Sequence, residues 1–355
     1  MIGDKPGDNA QIELLADALQ WPVEIRRLRF LPRYQTGKPR FRVSLSHIDK
    51  AASDPLVPPW PDLVLTIGRR PSMAALWVKE QSGGATRLVL IGRPRRFHDR
   101  FDLVLAPPQN RVPDRPNVVR LALPLLAADA DAIRRDSDCW RERFSSLPRP
   151  LTAILVGGPT GRFIFDETVA GELVNSVLAR TGSRGTLFVT TSRRTPPPVI
   201  RGLERSLPPE AVLYRWSEAA SDNPYKALLG LADAFVVTGD SASMMVEVAR
   251  LGRPLIIYPL PVRPSRVFAL RRRLASRLQP PSGNPSQSRL TAAIGDWLYD
   301  RGLVLHSRDF DDLYRALTDR GLATLIEDSS TVPPSSPADE LPQVAARIRS
   351  LVAVH

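Results

Sequence analysis

The stretch Val236–Pro259, VVTGDSASMMVEVARLGRPLIIYP, decides the fold, because it predicts in order a strand, a tight turn, a helix, a second turn and a second strand. The central helix is apolar nearly all round. Its polar residues Ser243, Glu247 and Arg250 are spaced i, i+4 and i+7, so they form one narrow stripe along a single face. The pattern therefore predicts a helix buried against its own sheet, with a polar partner along that stripe.

Length and composition predict two folded domains. The chain has 355 residues, of which 43% are apolar and 24% charged, which is typical of a folded protein and too long for one ordinary core. Short apolar runs alternate with helical segments in both halves, which favours α/β domains. A proline-containing hinge at Leu147–Pro150 separates the halves. We predict domains at residues 1–148 and 149–337, followed by a C-terminal helix in 338–355 whose return to the first domain we leave open.

The individual elements follow from the same patterns. The predicted strands are Val23–Leu28, Leu63–Ile67, Arg87–Ile91, Leu103–Leu105 and Val118–Leu121 in the first domain, and Leu151–Val156, Thr186–Thr191 and Val212–Tyr214 in the second. The predicted helices include Gln11–Leu19, Glu167–Arg180, Val267–Leu278, Leu290–Tyr299, Phe310–Arg320 and Leu341–Val352. A sheet of this class normally has a buried strand before the turn-rich loop at residues 3–9. Either that strand is missing from the gene model or the domain does without it.

The charge pattern narrows the classes of partner. The net charge is +12, but only five of the 49 basic residues are lysines, and the arginines are spread along the whole chain. The densest cluster, at residues 263–277, lacks the regular aromatic spacing of single-strand nucleic-acid binders. A solvated basic face or an anionic membrane surface therefore fits better than nucleic acid.

Membrane and metal signals are weak. No apolar run approaches the roughly 20 residues of a bilayer span, and no signal peptide is recognisable, so we expect a cytoplasmic protein, either free or peripheral on the inner membrane. Cys139 is the only cysteine and the four histidines are scattered, so we predict neither a disulfide nor a structural metal.

Two glycine-containing turns follow strands of the second domain, Gly157-Gly158-Pro159-Thr160-Gly161 and Gly239-Asp240-Ser241-Ala242-Ser243. Amides at a helix N-terminus are unpaired and carry partial positive charge, which suits a phosphate group. Neither turn matches a Walker or GxGxxG motif. Taken singly, each turn could be purely structural, because glycine is the usual residue in a tight strand-to-helix turn. Together, at the carboxyl ends of parallel strands, they predict one binding crevice.

Glu247 and a third turn extend this crevice. Glu247 lies about 6 Å along the helix from Ser243, which suits a carboxylate that accepts from both ribose hydroxyls of a nucleotide whose phosphates rest on the turn. The alternative is a weak surface pair with Arg250. The third turn, Thr190–Thr195, brings hydroxyls and two arginines to the same edge, where the arginines either neutralise a diphosphate or are solvated.

These motifs together resemble one family. The order VGGPTG, TTSRRT, NPY and VTGDSxSMxxE, with GDKPGDNAQ near the start and FDLV at residues 101–104, is similar to the bacterial relatives of the plant mitochondrial-fission (elongated-mitochondria) protein. The similarity covers nearly the whole chain and is more specific in the second half. One departure is Pro108-Gln109-Asn110, which stands where Pro-x-His-Asp is expected and leaves no imidazole or carboxylate there.

The resemblance implies a fold and a ligand. The family resembles glycosyltransferases of the B type (GT-B), in which two Rossmann-like domains face each other across a cleft. Val236–Pro259 also resembles the nucleotide-sugar clamp of the enzyme that adds N-acetylglucosamine to the peptidoglycan lipid. In such enzymes the turn holds the diphosphate and the glutamate holds the ribose, which implies these roles for Ser241, Ser243 and Glu247. No metal is implied, because helix dipoles and basic side chains balance the diphosphate.

The predicted nucleotide-sugar site consists of Gly157, Gly158, Thr160, Ser192, Arg193, Arg194, Gly239, Asp240, Ser241, Ser243, Met244 and Glu247. The acceptor side is less defined. A general base should come from the first domain, where Asp8 is the best candidate with Asp4 behind it, although both could instead cap the first helix.

The resemblance implies a glycosyltransferase that takes a nucleotide-diphosphate sugar as its donor substrate, with no further cofactor and an unidentified lipid-linked or cell-envelope acceptor. Two alternatives remain open. One is a nucleotide-sugar epimerase on the same fold, and the other is a non-catalytic, membrane-associated protein of the elongated-mitochondria type.

Overall fold

The computed structural model describes residues 1–35, 42–94, 97–159, 161–182, 184–220, 222–265, 273, 294–295, 297–299, 309–328 and 336–353. The chain divides into two compact units. The first contains residues 1–125, 265–309 and 339–355, and the second contains residues 126–264 and 310–338. The predicted helix Val267–Leu278, apart from residue 273, and half of the predicted helix Leu290–Tyr299 lie outside the described residues.

The first unit is built on a four-stranded, parallel sheet. Its strands are β1 (Leu63–Ile67), β2 (Arg87–Ile91), β3 (Leu103–Ala106) and β4 (Val118–Arg120), and its helices are α1 (Pro6–Leu19), α2 (Pro32–Gln35), α3 (Arg69–Gln81) and the C-terminal α10 (Leu341–Val352). The strands lie in the order β1-β2-β3-β4. The predictions for these four strands are confirmed to within one residue at each end.

Helices cover both faces of this sheet. On one face, Leu15 of α1 and Ile348 of α10 pack in one core with Val89 of β2. On the other face, Leu76 of α3 packs with Leu88. Successive residues of β2 therefore serve two different cores, which is why the strands are continuous apolar runs. The C-terminal helix does return to the first unit.

Two predictions for the start of the chain were wrong. In the described structure Val23–Leu28 forms no regular strand, and only a bridge between Ile2 and Arg27 is present. Helix α1 begins at Pro6, earlier than predicted, because proline needs no amide partner in the first turn and its φ is already helical. Asp8 consequently lies in the first helical turn.

The second unit has a six-stranded, parallel sheet. Its strands are β5 (Leu151–Val156), β6 (Thr186–Thr191), β7 (Val212–Tyr214), β8 (Ala234–Thr238), β9 (Leu255–Tyr258) and β10 (Thr324–Leu325), and its helices are α4 (Ala130–Ser145), α5 (Glu167–Thr181), α6 (Pro197–Ser206), α7 (Tyr225–Leu231), α8 (Ala242–Arg250) and α9 (Phe310–Thr318). The strand order β10-β9-β8-β5-β6-β7 runs in opposite directions from β5. The carboxyl end of β5 is therefore a topological switch point, where ligands bind in this class of fold.

The stretch Val236–Pro259 forms the end of β8, helix α8 and strand β9, as predicted. Met245, Val246, Val248 and Ala249 bury α8 against the rest of the unit. The remaining face of α8 is half-buried and contains Met244 in addition to the predicted stripe, so the accessible face is wider than the polar residues alone.

Helices α5 and α6 pack closely at Gly202, which gives a test of the packing. A Cβ at this position would lie 2.4 Å from the backbone oxygen of Glu167 and 2.8 Å from the Cβ of Ala170. We expect Gly202→Ala to lower the urea midpoint of the second unit, with a cost of about 1–3 kcal/mol that exceeds the helix propensity gained from alanine.

Gly171→Ala is the matched control on the opposing helix, since its Cβ would meet only the flexible hydroxyl of Ser206 at 3.1 Å. This variant should unfold at the wild-type midpoint or above. Equal midpoints for the two variants in urea titrations followed by circular dichroism would show that the α5–α6 crossing is looser than described.

Candidate functional site

Three strand-to-helix turns of the second unit meet at one edge of the sheet. They follow β5, β6 and β8, which are neighbours. The amide of Gly157, after β5, donates to Oγ1 of Thr238 at the end of β8, at 2.8 Å. The hydroxyl of Thr195, after β6, donates to the backbone oxygen of Gly157 at 2.6 Å. The first turn is thus bonded to both of its neighbours.

The turns lie so close to neighbouring groups that a Cβ atom at any of three glycine positions would clash. A Cβ on Gly158 would lie 2.2 Å from the backbone oxygen of Arg194, and a Cβ on Gly157 would lie 2.6 Å from Oδ2 of Asp240. A Cβ on Gly239 would lie 2.1 Å from the hydroxyl of Tyr314. Real Cβ atoms do not approach other atoms this closely. Gly158 therefore lets the first turn touch the backbone of the turn after β6, whereas Gly157 and Gly239 leave room for the side chains of Asp240 and Tyr314.

The N-terminus of α8 opens at this edge. Ser241 is the N-cap residue, and among the described residues its side chain makes no capping hydrogen bond to the helix. Ser241 is buried, whereas Ser243 and Met244 in the first turn are half-buried. The first-turn amides of α8 and the positive end of its dipole are therefore available to an anion.

Glu247 has a partner that the sequence did not reveal. Its Oε2 accepts a hydrogen bond of 2.5 Å from the hydroxyl of Tyr225, the first residue of α7. Burial, together with the charge and hydrogen bond of Glu247, raises the pKa of the Tyr225 hydroxyl well above its usual value, so this hydroxyl stays a donor. Tyr225 thereby fixes the carboxylate through one oxygen and leaves Oε1 for another donor.

Asp240 lies beneath the turns, with only 3% of its surface exposed. Burial raises the pKa of its carboxyl, and the neighbouring Thr238 hydroxyl, Arg194 guanidinium and Gly158 amide offset this only in part. The structure places this predicted binding residue against Gly157, where it shapes the floor of the site.

The other predicted residues fall into three groups. Arg193 and Arg194 are exposed on the turn after β6, and Ser192 is half-buried, with its hydroxyl accepting from the Arg194 amide at 3.3 Å. Thr160 lies outside the described residues. Asp8 belongs to the first unit, where it lines a separate hollow of about 300 Å³.

That hollow is bounded by charged side chains. Lys5 lies 3.8 Å from the Asp8 carboxylate, and Arg70 lies 3.7 Å from the carboxylate of Asp4. The N-cap of α1 is Lys5, and no side-chain capping bond is formed among the described residues. The alternative role of Asp8 and Asp4 as helix caps is therefore wrong.

Four residues that hold the site together were missing from the prediction: Tyr225, Thr238, Thr195 and Tyr314. Thr238 and Thr195 lie inside the motifs already recognised, but their partners are other turns, which only the sheet order reveals. Tyr314, on α9, donates to the backbone oxygen of Gly239 at 2.9 Å from more than 70 positions further along the chain. The NPY motif was the one available signal for Tyr225.

The described ranges contain neither a metal-binding cluster nor a membrane-spanning helix. Those residues contain no cluster of three or more histidine, cysteine or carboxylate side chains that could hold a metal ion. In the same part of the chain, no helix is long and apolar enough to cross a bilayer.

Comparison with known proteins identifies the family. The model of the Mitochondrial fission ELM1 family matches residues 6–279. The chain belongs to this family. It is 27% identical over 219 residues to Mitochondrial fission protein ELM1 of Arabidopsis thaliana, a match that covers 56% of this chain and 51% of the plant protein. It is also 27% identical to an uncharacterized protein of Rickettsia prowazekii (strain Madrid E), covering 56% of this chain and 64% of that protein.

The chain thus spans between half and two thirds of the length of these family members. Among solved structures, it is similar to S. aureus MnaA in a co-structure with UDP. The TM-score is 0.46 at 11% identity, over 100% of this chain and 96% of that chain.

Asp240 leads to a prediction about pH. Because its pKa is raised in the folded state, the folded chain holds this proton more tightly than the unfolded chain does. The stabilising contribution is complete below the ordinary carboxyl pKa of 3.8 and is lost as the pH rises through the raised value. In urea titrations between about pH 4 and pH 7, the midpoint of Asp240→Asn should therefore rise relative to wild type as the pH increases.

Asp233→Asn is the control of opposite sign. Despite partial burial, the Leu151 amide and Arg149 lower the pKa of Asp233 below the ordinary 3.8. Its stabilising contribution is therefore complete above the ordinary pKa and is lost as the pH falls through the lowered value. The midpoint of Asp233→Asn should differ from wild type by a constant amount between about pH 4 and pH 7, and this difference should shrink only below about pH 4. A pH-independent difference between Asp240→Asn and wild type would show that the buried carboxyl has an ordinary pKa.

Proposed function

We propose that the second unit binds a nucleotide-diphosphate sugar and that the chain transfers the sugar to an acceptor. The observation that carries this proposal is the uncapped N-terminus of α8, which lies where the turns after β5, β6 and β8 meet. Glu247 lies one helical turn further along the accessible face of α8. The site is thus suited to an anion at one end and to a hydroxyl-bearing group at the other.

The diphosphate binds at the N-terminus of α8. Amides of the first turn donate to its oxygens, and the helix dipole favours its negative charge. Arg193 and Arg194, exposed on the adjoining turn, add positive charge next to the Gly158 backbone. These groups also stabilise the diphosphate as it leaves with the electron pair of the broken sugar–oxygen bond.

The ribose binds at Glu247. A carboxylate that accepts from two adjacent hydroxyls needs a fixed orientation and a free lone pair. The hydrogen bond from Tyr225 to Oε2 fixes the orientation of Glu247 and leaves Oε1 to accept from the ligand. Tyr225 is thus a positioning residue. Asp240, beneath the turns, acts on the shape of the site and does not touch the ligand.

Transfer forms a bond between the sugar carbon and an acceptor hydroxyl as the bond to the diphosphate breaks. The hydroxyl proton passes to a base, for which Asp8 of the first unit is our candidate.

A panel of UDP-, GDP-, CMP- and ADP-sugars, screened by thermal stability, first identifies the nucleotide. We then expect Glu247→Ala to weaken binding of the matching ribonucleoside diphosphate about 10- to 100-fold, the effect of losing hydrogen bonds to a charged group. The same substitution should leave the affinity for the 2′,3′-dideoxy nucleotide nearly unchanged in calorimetric titrations.

Glu172→Ala, an exposed carboxylate on α5, is the control and should bind both nucleotides as wild type does. An equal loss of both nucleotides in Glu247→Ala would contradict the ribose assignment. If no nucleotide or nucleotide sugar shifts the melting temperature, the whole proposal fails.

Transfer is tested separately from binding. The sugar nucleotide that binds is incubated with the protein and with a membrane extract or with buffer alone. Release of the nucleoside diphosphate only in the presence of the extract supports a transferase. An isomerised sugar nucleotide formed in buffer alone would instead indicate an epimerase.

A further inference from the structure

The hollow that contains Asp8 lies at the carboxyl end of β1. Its volume is about 300 Å³, at the small end of the range for ligand pockets. Its walls are the loop at residues 3–9, the side chain of Phe30 and the segment at residues 67–71, where β1 ends and α3 begins. All of these residues belong to the first unit. The hollow therefore suits a small polar group rather than a whole nucleotide.

Asn9 fixes the loop that carries both carboxylates of the hollow. Its side-chain oxygen accepts from the amide of Gly3, and its side-chain nitrogen donates to the oxygen of Gly3, both at 3.0 Å. The amides of Asp8 and Asn9 donate to the oxygen of Lys5 at 3.1 and 3.0 Å. Four hydrogen bonds thus close the loop, so the positions of Asp4 and Asp8 are set before any ligand binds.

Arg70 is fixed in the wall that α3 provides. Its Nε donates to the backbone oxygen of Tyr34 at 2.8 Å, and its guanidinium lies 5.3 Å from the centre of the Phe30 ring. Nε2 of the buried His47 donates to its backbone oxygen at 2.9 Å. Only 15% of the Arg70 side chain is exposed. Because the guanidinium is oriented in advance, an anion that binds it loses little side-chain entropy.

The charged side chains leave an excess of positive charge in the hollow. Lys5, Arg69 and Arg70 line it, together with the carboxylates of Asp4 and Asp8. The positive end of the α3 dipole adds to this excess, because the start of that helix forms part of the wall. The Asp4 carboxylate is 36% exposed and lies 3.7 Å from Arg70, so this pair contributes little, and an anion with better geometry can replace it.

Asp8 brings a hydrogen-bond acceptor next to this positive region. A Cβ on Gly68, the N-cap of α3, would lie 3.8 Å from Oδ2 of Asp8, so the carboxylate stands beside the start of the helix. A carboxylate in this place accepts from a hydroxyl and repels a bare anion. The hollow therefore favours a ligand that presents an anion and a hydroxyl side by side.

We propose that the hollow binds a phosphate ester with a hydroxyl group on the neighbouring carbon. The guanidinium of Arg70 donates to two phosphate oxygens, the start of α3 faces a third, and Asp8 accepts from the hydroxyl. A carboxylate ligand has only the two oxygens that the guanidinium takes, so it binds less tightly. The inference rests on the proposed function in one respect, namely that the hydroxyl at Asp8 is the acceptor of the transferred sugar.

The first test titrates inorganic phosphate and follows the ring resonances of His47 by NMR, since this ring is bonded to Arg70 and reports on the hollow alone. Arg70→Gln should weaken phosphate binding at least 10-fold, and Arg70→Lys, which keeps the charge, should weaken it less. Asp8→Asn should strengthen it about 2- to 5-fold, because a negative charge beside the phosphate is removed.

Arg29→Gln is the matched control, since Arg29 is an exposed arginine of the first unit that does not line the hollow. It should bind phosphate as wild type does. Equal phosphate affinities in Arg70→Gln and Asp8→Asn, or no shift of the His47 resonances in the wild type, overturn the inference.

The second test compares three ligands in the same measurement: sn-glycerol 3-phosphate, propyl phosphate, which lacks the hydroxyl, and glycerate, which has a carboxylate in place of the phosphate. We expect sn-glycerol 3-phosphate to bind about 10-fold more tightly than either of the others. The advantage over propyl phosphate should disappear in Asp8→Asn. Equal affinities for the three ligands in the wild type overturn the inference.

A third measurement distinguishes the sources of the ester. Phosphatidylglycerol, whose headgroup has the same phosphate and neighbouring hydroxyl, is presented in vesicles to the wild type, Arg70→Gln and Arg29→Gln. A loss of vesicle binding in Arg70→Gln alone supports the site with a lipid-linked ester. Equal vesicle binding by all three chains, together with tight binding of sn-glycerol 3-phosphate, supports the site with a soluble ester.

The inference and the proposed function fail separately. If the phosphate ester binds in the hollow and no sugar nucleotide binds to the chain, the site stands and the proposed transfer fails. If sugar nucleotides bind and the ester leaves the His47 resonances unchanged, this inference is overturned and the proposed transfer stands.

Discussion

The contact between backbone turns at the carboxyl ends of β5, β6 and β8 is the constraint on which the second unit depends. A Cβ on Gly158 would clash with the backbone of Arg194, and a Cβ on Gly157 would clash with the buried carboxylate of Asp240. Once the turns are this close, the hydroxyls of Thr238 and Thr195 replace the water that the backbone of Gly157 has lost. The same contact directs the start of α8 to the sheet edge, so the packing of the unit and the proposed anion site have a common origin.

Much of this unit could be predicted from the sequence because its signals are local. Buried strands of a parallel sheet are unbroken apolar runs, and the strands Leu151–Val156, Thr186–Thr191 and Val212–Tyr214 begin and end where those runs do. The stretch Val236–Pro259 contains a complete strand–helix–strand unit, so its turn and its polar stripe were readable without knowledge of the rest.

The residues that escaped prediction depend on contacts between distant parts of the chain. Tyr225 precedes Glu247 by 22 positions, and Tyr314 follows Gly239 by 75. No periodicity links such pairs, since the sheet order alone brings α7, α8 and α9 together. The error at Val23–Leu28 has the same cause: the segment has the composition of a strand, but a strand needs a partner along its whole length, and the described chain supplies only Ile2.

Glu247 shows how the two kinds of information combine. Its spacing from Ser243 indicated a ligand, and the alternative was a weak pair with Arg250. The structure adds a buried tyrosine hydroxyl, held as a donor by its raised pKa, which takes one carboxylate oxygen. A solvent-exposed carboxylate without a ligand gains little from such a fixed orientation, because water donates hydrogen bonds to it equally well. A carboxylate that must accept from two hydroxyls of a rigid ring gains a great deal, since the orientation is set before the ligand arrives. The hydrogen bond from Tyr225 thus orients Glu247 in advance, which supports the proposed recognition of a ribose over a role in stability alone.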